Sequence, residues 1–363
     1  MSKEDVQTQQ DKQQQRWFEG VVWVALFGTL VLGLIMRWML AGAVFPSWMS
    51  FRFFKHAHSH LGYFAVLFPL VWACWWKQEG FSLGKSWQLV YVLGVILSTV
   101  GFLRAGYAVD SILGSTVVLG VWLYVAWTQR ALSMRREDWL SFAPLGIVLG
   151  AICIPPIAVL SRRDPGMAVL WVKTFLSLLI FLVMLPAVFS RLSFQAPPRW
   201  FWYSVSFASS CFLGIVPWPW LGVGLVGMGA WLLWALRKGG LSWDIRSAWV
   251  IWASSMILVG GRLVSYDHFL GIAGIHYTLL APFFLSCWWI FFERFPPAWL
   301  RFPYLFFVLG MCAAIAGQSW FPHHGLWFSR ASAVFGSLLV LWLVFLAGFV
   351  VRSRHESRGV VSV

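Results

Sequence analysis

The sequence predicts an all-α, polytopic membrane protein of about twelve transmembrane helices. Three observations carry that expectation. Hydrophobic residues make up 60% of the chain and charged residues only 11%, against about a quarter charged in a soluble domain. Apolar runs recur between Glu19 and Val351, each roughly 18 to 25 residues and so long enough to cross the hydrocarbon core as a helix. The runs are continuous and lack the two-residue alternation of a membrane barrel. Backbone groups in lipid must pair within their own segment, which leaves helices.

The expected spans lie near 20–42, 60–76, 87–104, 109–128, 139–160, 167–189, 201–216, 220–236, 247–263, 270–291, 303–317 and 331–350. The seventh and eleventh are short, and Pro155 and Pro156 are expected to bend the fifth. Neighbouring helices tolerate such breaks. Residues 1–18 are polar and Gln-rich. The polar lead is long and no small-residue cleavage site follows, so it reads as a cytoplasmic tail rather than a secretory leader. A single membrane domain over 19–351 and a basic cytoplasmic tail over 352–363 complete the expected organisation.

A formal charge of +14 would point to nucleic acid in a soluble protein. Here cation-rich inner loops account for it, and no nucleic-acid partner is expected. With the N-terminus inside, Lys and Arg fall 18 to 8 in favour of the inner side, and Lys173 lies within a span. Both termini are therefore expected in the cytoplasm, with the chain in a bacterial inner membrane. Twenty-seven Trp residues cluster near expected span ends, where they suit interfacial anchoring. The five cysteines, Cys74, Cys153, Cys211, Cys287 and Cys312, are scattered in apolar segments with no CxxC pair. That pattern indicates neither a disulfide framework nor a thiolate metal site.

The histidines are distributed unevenly. His56, His58 and His60 alternate in "FKHAHSHLGY" at the outer end of the second span. His268 and His276 lie at the outer end of the tenth, and His323 and His324 in the outer loop before the twelfth. Only His355 falls inside. On a helix, His56 and His60 share a face and His58 points away. His268 and His276 are eight apart, about 12 Å along a helix, too far to ligate one small ion together. "GIAGIHY" places Gly271 and Gly274 on the ligand-bearing stretch, where small residues let something broad approach. A flat macrocycle held by one imidazole from each of two helices fits these facts. His276, deep in an apolar run, is one axial candidate. His60 or His58 is the other.

Lys173, in "MAVLWVKTFLSL", needs a partner, a wet cavity or room to snorkel outward. Asp110, Asp164 and Asp267 are the outer acids available to pair with it or to orient a histidine. Arg104, Arg262 and Arg330 lie in the same outer layer and suit carboxylates such as haem propionates, or lipid phosphates. No Walker loop, GxGxxG, HExxH or GxSxG is present, and the histidine boxes of membrane di-iron desaturases are not reproduced.

Three segments resemble the catalytic subunit (subunit I) superfamily of haem–copper oxidases. "HSHLGYFAVLFP" resembles its helix-two segment carrying one axial histidine. "AGIHYTLL" resembles its helix-ten "HFHYVL", with His276 at the low-spin haem ligand. "AGQSWFPHHGLW" resembles its "PRR" loop, with His323 and His324 in place of the propionate-binding arginines. The resemblance implies a subunit I-like bundle of twelve helices with both termini inside. It also implies a low-spin haem between the outer halves of helices two and ten. The family's active-site haem ligand is here Gly274, and spans six and seven carry none of its copper-binding histidines. A binuclear centre is therefore not expected.

The expected function is a membrane haem protein, with a b-type haem used for electron transfer or for redox or gas-ligand chemistry. Its partners would be the lipid bilayer and a periplasmic electron donor or other membrane subunits. The alternative is metal-ion binding or transport, with copper or another metal captured by His56, His60, His268 and His276. A structural subunit of a membrane complex is the third reading.

Overall fold

The computed structural model describes residues 3–79, 82–131, 138–192, 194–215, 218–238, 240–264, 267–287 and 298–359. Among them every regular element is helical. The principal helices are α1 (Lys3–Leu40), α2 (Phe51–Leu61), α3 (Phe68–Glu79), α4 (Lys85–Ala105), α5 (Val109–Thr128), α6 (Ala143–Arg163), α7 (Pro165–Leu179) and α8 (Leu185–Arg191). They continue with α9 (Arg199–Leu213), α10 (Val223–Lys238), α11 (Trp243–Gly260), α12 (His268–Thr278), α13 (Phe284–Ser286), α14 (Ala298–Trp320) and α15 (Gly325–Gly359).

Among the described residues, ten helices or helix runs are long and apolar enough to cross a membrane. This is fewer than the twelve expected. The two that differ are α9 and α11. α9 has 15 residues, about 22 Å at 1.5 Å per residue, short of a hydrocarbon core of about 30 Å. α11 has 18 residues but opens with Asp244 and Arg246, which lowers its apolarity. The expected short eleventh span is the 23-residue α14, which runs through Pro303. The residues of the tenth span beyond Cys287 lie outside the described residues. The polar N-terminal stretch joins α1 directly, and α15 carries the basic tail to Gly359. Gln, Lys, Glu and Arg are good helix formers, and extending an existing helix avoids the cost of nucleation.

Three of the long runs contain a π-helical segment: Gly62–Leu67 between α2 and α3, Ile180–Met184 between α7 and α8, and Leu279–Phe283 between α12 and α13. Pro69 and Pro186 stand two residues past the first two segments, and Pro282 lies inside the third. Proline has no N–H to donate and its ring collides with the carbonyl four residues earlier. Widening the turn by one residue relieves that collision without ending the helix.

The chain divides into two compact units. The first comprises residues 1–73, 95–114 and 267–363. In it α1 packs on α2 and α15, α12 on α14, and α14 on α15. The phenolic hydroxyl of Tyr304 on α14 donates to the Leu280 carbonyl in the π-helical turn (2.6 Å). The second comprises residues 74–94 and 115–266, with α7 between α6 and α9 and α10 between α9 and α11. Its core is aromatic. Trp139, Phe189, Trp202 and Trp231 meet one another with ring centroids 4.9–6.0 Å apart. The Trp139 and Trp202 indoles donate to the carbonyls of Phe194 and Phe181, at 2.7 and 3.0 Å. Interfacial anchoring thus does not account for these tryptophans; Trp72, Trp75, Trp202, Trp249 and Trp252 are fully buried. Trp48, Trp200, Trp218, Trp220, Trp299 and Trp327 are exposed.

Candidate functional site

All the features that converge chemically lie in the first unit, where α1, α2 and α12 meet. Ser50 opens α2 and "FRFFKHAHSHL" follows without interruption. Its helical pitch sends His56 and His60 to one side and His58 to another, as the spacing requires. His60 Nδ1 donates back to the His56 carbonyl of its own helix (2.9 Å). The His60 ring lies against Phe102, centroid to centroid 4.0 Å, with Phe64 at 5.3 Å. Tyr107 covers His56 at 4.6 Å. His56 and His60 therefore form one aromatic cluster with Phe102 and Tyr107, their rings 6.5 Å apart.

His58 points toward α12. Its ring and that of His276 face each other with centroids 6.1 Å apart and planes within 12° of parallel. His58 Nδ1 lies 2.8 Å from the Thr29 carbonyl of α1. His276 Nδ1 lies 2.8 Å from the Ile272 carbonyl. A carbonyl can only accept, so Nδ1 carries the hydrogen in both rings and each Nε2 keeps its lone pair. This is the tautomer that a metal-bound histidine needs, with a carbonyl behind each ring. Both residues are half-buried. No heavy atom lies within 4 Å of where a side chain at Gly274 would begin. The approach of α1 to His58 depends on Gly33, where a Cβ would stand 2.8 Å from His58 Cε1.

The two-helix clamp is tested by a simple distance. An imidazole bound through nitrogen puts its ring centre about 3.1 Å from the metal, from a bond of about 2.0 Å and about 1.1 Å within the ring, so two trans imidazoles stand about 6.2 Å apart. The rings of His58 and His276 have that centroid spacing, 6.1 Å, but are stacked, whereas a shared metal would lie in both ring planes, so ligation would require a ring to turn. The donor set, one imidazole from each of two helices, is that of an iron macrocycle with two axial histidines. It suits a small divalent ion less well, because among the described residues no group of three or more His, Cys, Asp or Glu converges.

The other expected site residues are placed apart from this pair or serve the scaffold. Asp267 caps α12, accepting from the Leu270 N–H (2.9 Å), and also accepts from the Ser319 hydroxyl of α14 (2.7 Å). It thereby sets the angle at which α12 presents His276. His268 is the first residue of α12. His323 and His324 are exposed in the short turn Pro322–His324, and Arg330 is exposed on α15. Arg262 belongs to the second unit, exposed just past α11, with φ 58°. Its N–H and that of Leu263 bond to the carbonyls of Val259 and Leu258, so it turns the chain at a helix end. Lys173 is half-buried on α7 in the second unit. Of the acids expected near it, Asp110 pairs with Arg104 (2.7 Å) and Asp164 caps α7 through the Met167 N–H (3.0 Å).

One group escaped the sequence reading. Arg37, one of the eight cations assigned to the outer side by the inside-outside count, is half-buried in the last turn of α1. It lies within electrostatic reach of His58, His276 and Cys312. Thr29, Gly33 and Arg37 are spaced four apart and form one stripe of α1. The first accepts from His58, the second abuts its ring and the third stands one turn beyond. A threonine, a glycine and an arginine at four-residue spacing in an apolar helix were the available signal. No family model, curated protein or solved structure matches this chain.

Proposed function

We propose that this membrane protein binds one b-type haem between His58 and His276 and uses it for electron transfer. The observation that carries the reading is the facing pair of imidazoles, 6.1 Å apart, each with Nδ1 committed to a backbone carbonyl. Thr29 and Ile272 would hold each ring in the ligating tautomer. A haem with two axial histidines has no open coordination position, so it supplies one-electron transfer rather than oxygen or nitric oxide reduction. A subunit I-like bundle without a copper centre, in a bacterial inner membrane with cytoplasmic termini, belongs to the same reading. So does a periplasmic or membrane-bound redox partner.

The test is to purify the protein in detergent after expression with adequate haem supply, quantify haem and metals, and record oxidised and reduced visible spectra. The expected result is one low-spin haem per chain. His58→Ala and His276→Ala are expected to lose it. His60→Phe, which preserves the packing on Phe102, is expected to keep it. A haem-free wild type, or a His276→Ala variant with an unchanged spectrum, would overturn the proposal.

A further inference from the structure

The end of the second unit where α8 finishes and α9 starts carries an open groove of about 350 Å³. One wall is the segment 195–201, through Pro197, Pro198, Trp200 and Phe201. The other is α10, through Trp231 and Trp234. The first wall is fixed in place. The Trp139 indole donates to the Phe194 carbonyl (2.7 Å), and two consecutive prolines stiffen the chain that follows. The second wall is the taller. Gly224 and Gly227 of α10 lie against Val205 of α9. Arg199 precedes Val205 by six residues, so in antiparallel register it stands near residues 230–233 of α10. Arg237 is then about 6–10 Å further along α10. A short helix beside a longer span leaves a step, and the groove occupies it.

The charge around this step has one predominant sign. Arg191, Arg199, Arg237, Lys238 and Arg246 belong to helix ends on this side of the unit, against one acid, Asp244. Arg191, Arg237 and Arg246 are exposed, whereas Asp244 is buried. Trp200 and Trp234 are exposed as well. Arg237 ends a run apolar enough to cross a membrane, and Trp234 lies about one turn inside it. The groove thus leads from an apolar span to a cationic rim. We propose that it holds one acyl chain of an anionic phospholipid whose phosphate is bound at Arg199 and Arg237. Aromatic walls suit the chain, and indoles suit the boundary between hydrocarbon and headgroup. Guanidinium forks suit the phosphate, and basic recesses between membrane helices bind such headgroups.

The experiment is native mass spectrometry of the detergent-purified protein, titrated with phosphatidylglycerol and with phosphatidylcholine of the same acyl chains. One phosphatidylglycerol per chain is expected to bind about tenfold or more tighter than phosphatidylcholine, the scale of two cations beside an anionic lipid. The double variant Arg199→Gln/Arg237→Gln is expected to lose that preference. Arg237→Gln alone, at an exposed position, is expected to lose part of it. Trp234→Ala is expected to weaken both lipids about equally, because it removes groove wall and no charge. Arg52→Gln, at an exposed cation of the first unit, is expected to change neither. Glycerol phosphate, a headgroup without chains, is expected not to displace the lipid in large excess. Equal binding of the two lipids to the wild type, or the same loss of preference in Arg52→Gln, would overturn the assignment. So would unchanged lipid binding in Trp234→Ala, or displacement by glycerol phosphate.

Discussion

At the scale of single residues, the site depends on which nitrogen each histidine has left to offer. His58 and His60 are two positions apart in sequence, and both direct Nδ1 to a backbone carbonyl. Their difference lies in what the rest of the ring meets. His60 rests on Phe102, whereas His58 faces a second imidazole. Gly33 makes the second arrangement possible, because a Cβ there would stand 2.8 Å from His58 Cε1 and press the ring away. Gly33→Val is therefore expected to displace His58 and abolish low-spin haem without touching a ligand, as measured by the visible spectrum of the purified variant. Gly33→Ala should reduce occupancy less, since the ring has to move only a few tenths of an ångström to relieve one methyl group. That a histidine of "HAHSH" and the one in "GIHY" come from two separate helices was legible in the sequence. The choice between His58 and His60 was not, because helical spacing says which residues share a face but not what that face meets.

At the scale of elements, the helical phase carried across the π turns sets the aim of the histidines. A π turn holds one residue more than the α-helix it interrupts, and one residue is about 100° of rotation. The segment Gly62–Leu67 follows the His58 turn directly. Leu279–Phe283 stands in the same relation to His276. Because the wide turn absorbs its extra residue, α2 and α3 keep the relative phase of a continuous α-helix one residue shorter, and deleting Ala65 is expected to regularise the helix and leave the aim of His58 unchanged. Inserting one alanine after Ala65 is instead expected to turn His58 by about 100° relative to α3, so that haem content falls while far-UV circular dichroism still reports a helical protein. Retention of haem in the insertion variant would show that the phase across the π turn does not set the aim of His58. Sequence announced these segments only through Pro69, Pro186 and Pro282. Proline marks where a helix must adjust; the neighbouring packing chooses a widened turn over a kink or a stop.

At the scale of the whole molecule, an aromatic core holds the helices of the second unit together. Trp202 is completely buried, its indole donates to the Phe181 carbonyl, and it contacts Trp139, Phe189 and Trp231. Trp202→Ala is expected to destabilise the protein by about 3–5 kcal/mol. The effect should appear as a lowered unfolding midpoint in detergent with the haem spectrum unchanged below the transition. Tryptophan composition alone pointed to the membrane interface. The same side chain serves equally well there and in a core, and sequence position does not separate the two uses.

Composition and the length of the apolar runs were enough by themselves to determine an all-helical membrane chain, because lipid forbids unpaired backbone whatever the tertiary arrangement. Tertiary structure decided the rest: that His58 rather than His60 faces His276, and that Asp267 is a cap. It also decided that Arg262 and Lys173 belong to another unit, and that Arg37 stands beside the pair. Each of those outcomes depends on which helix packs on which face. That is settled by contacts between residues far apart in the chain, and periodicity along one helix carries no record of them.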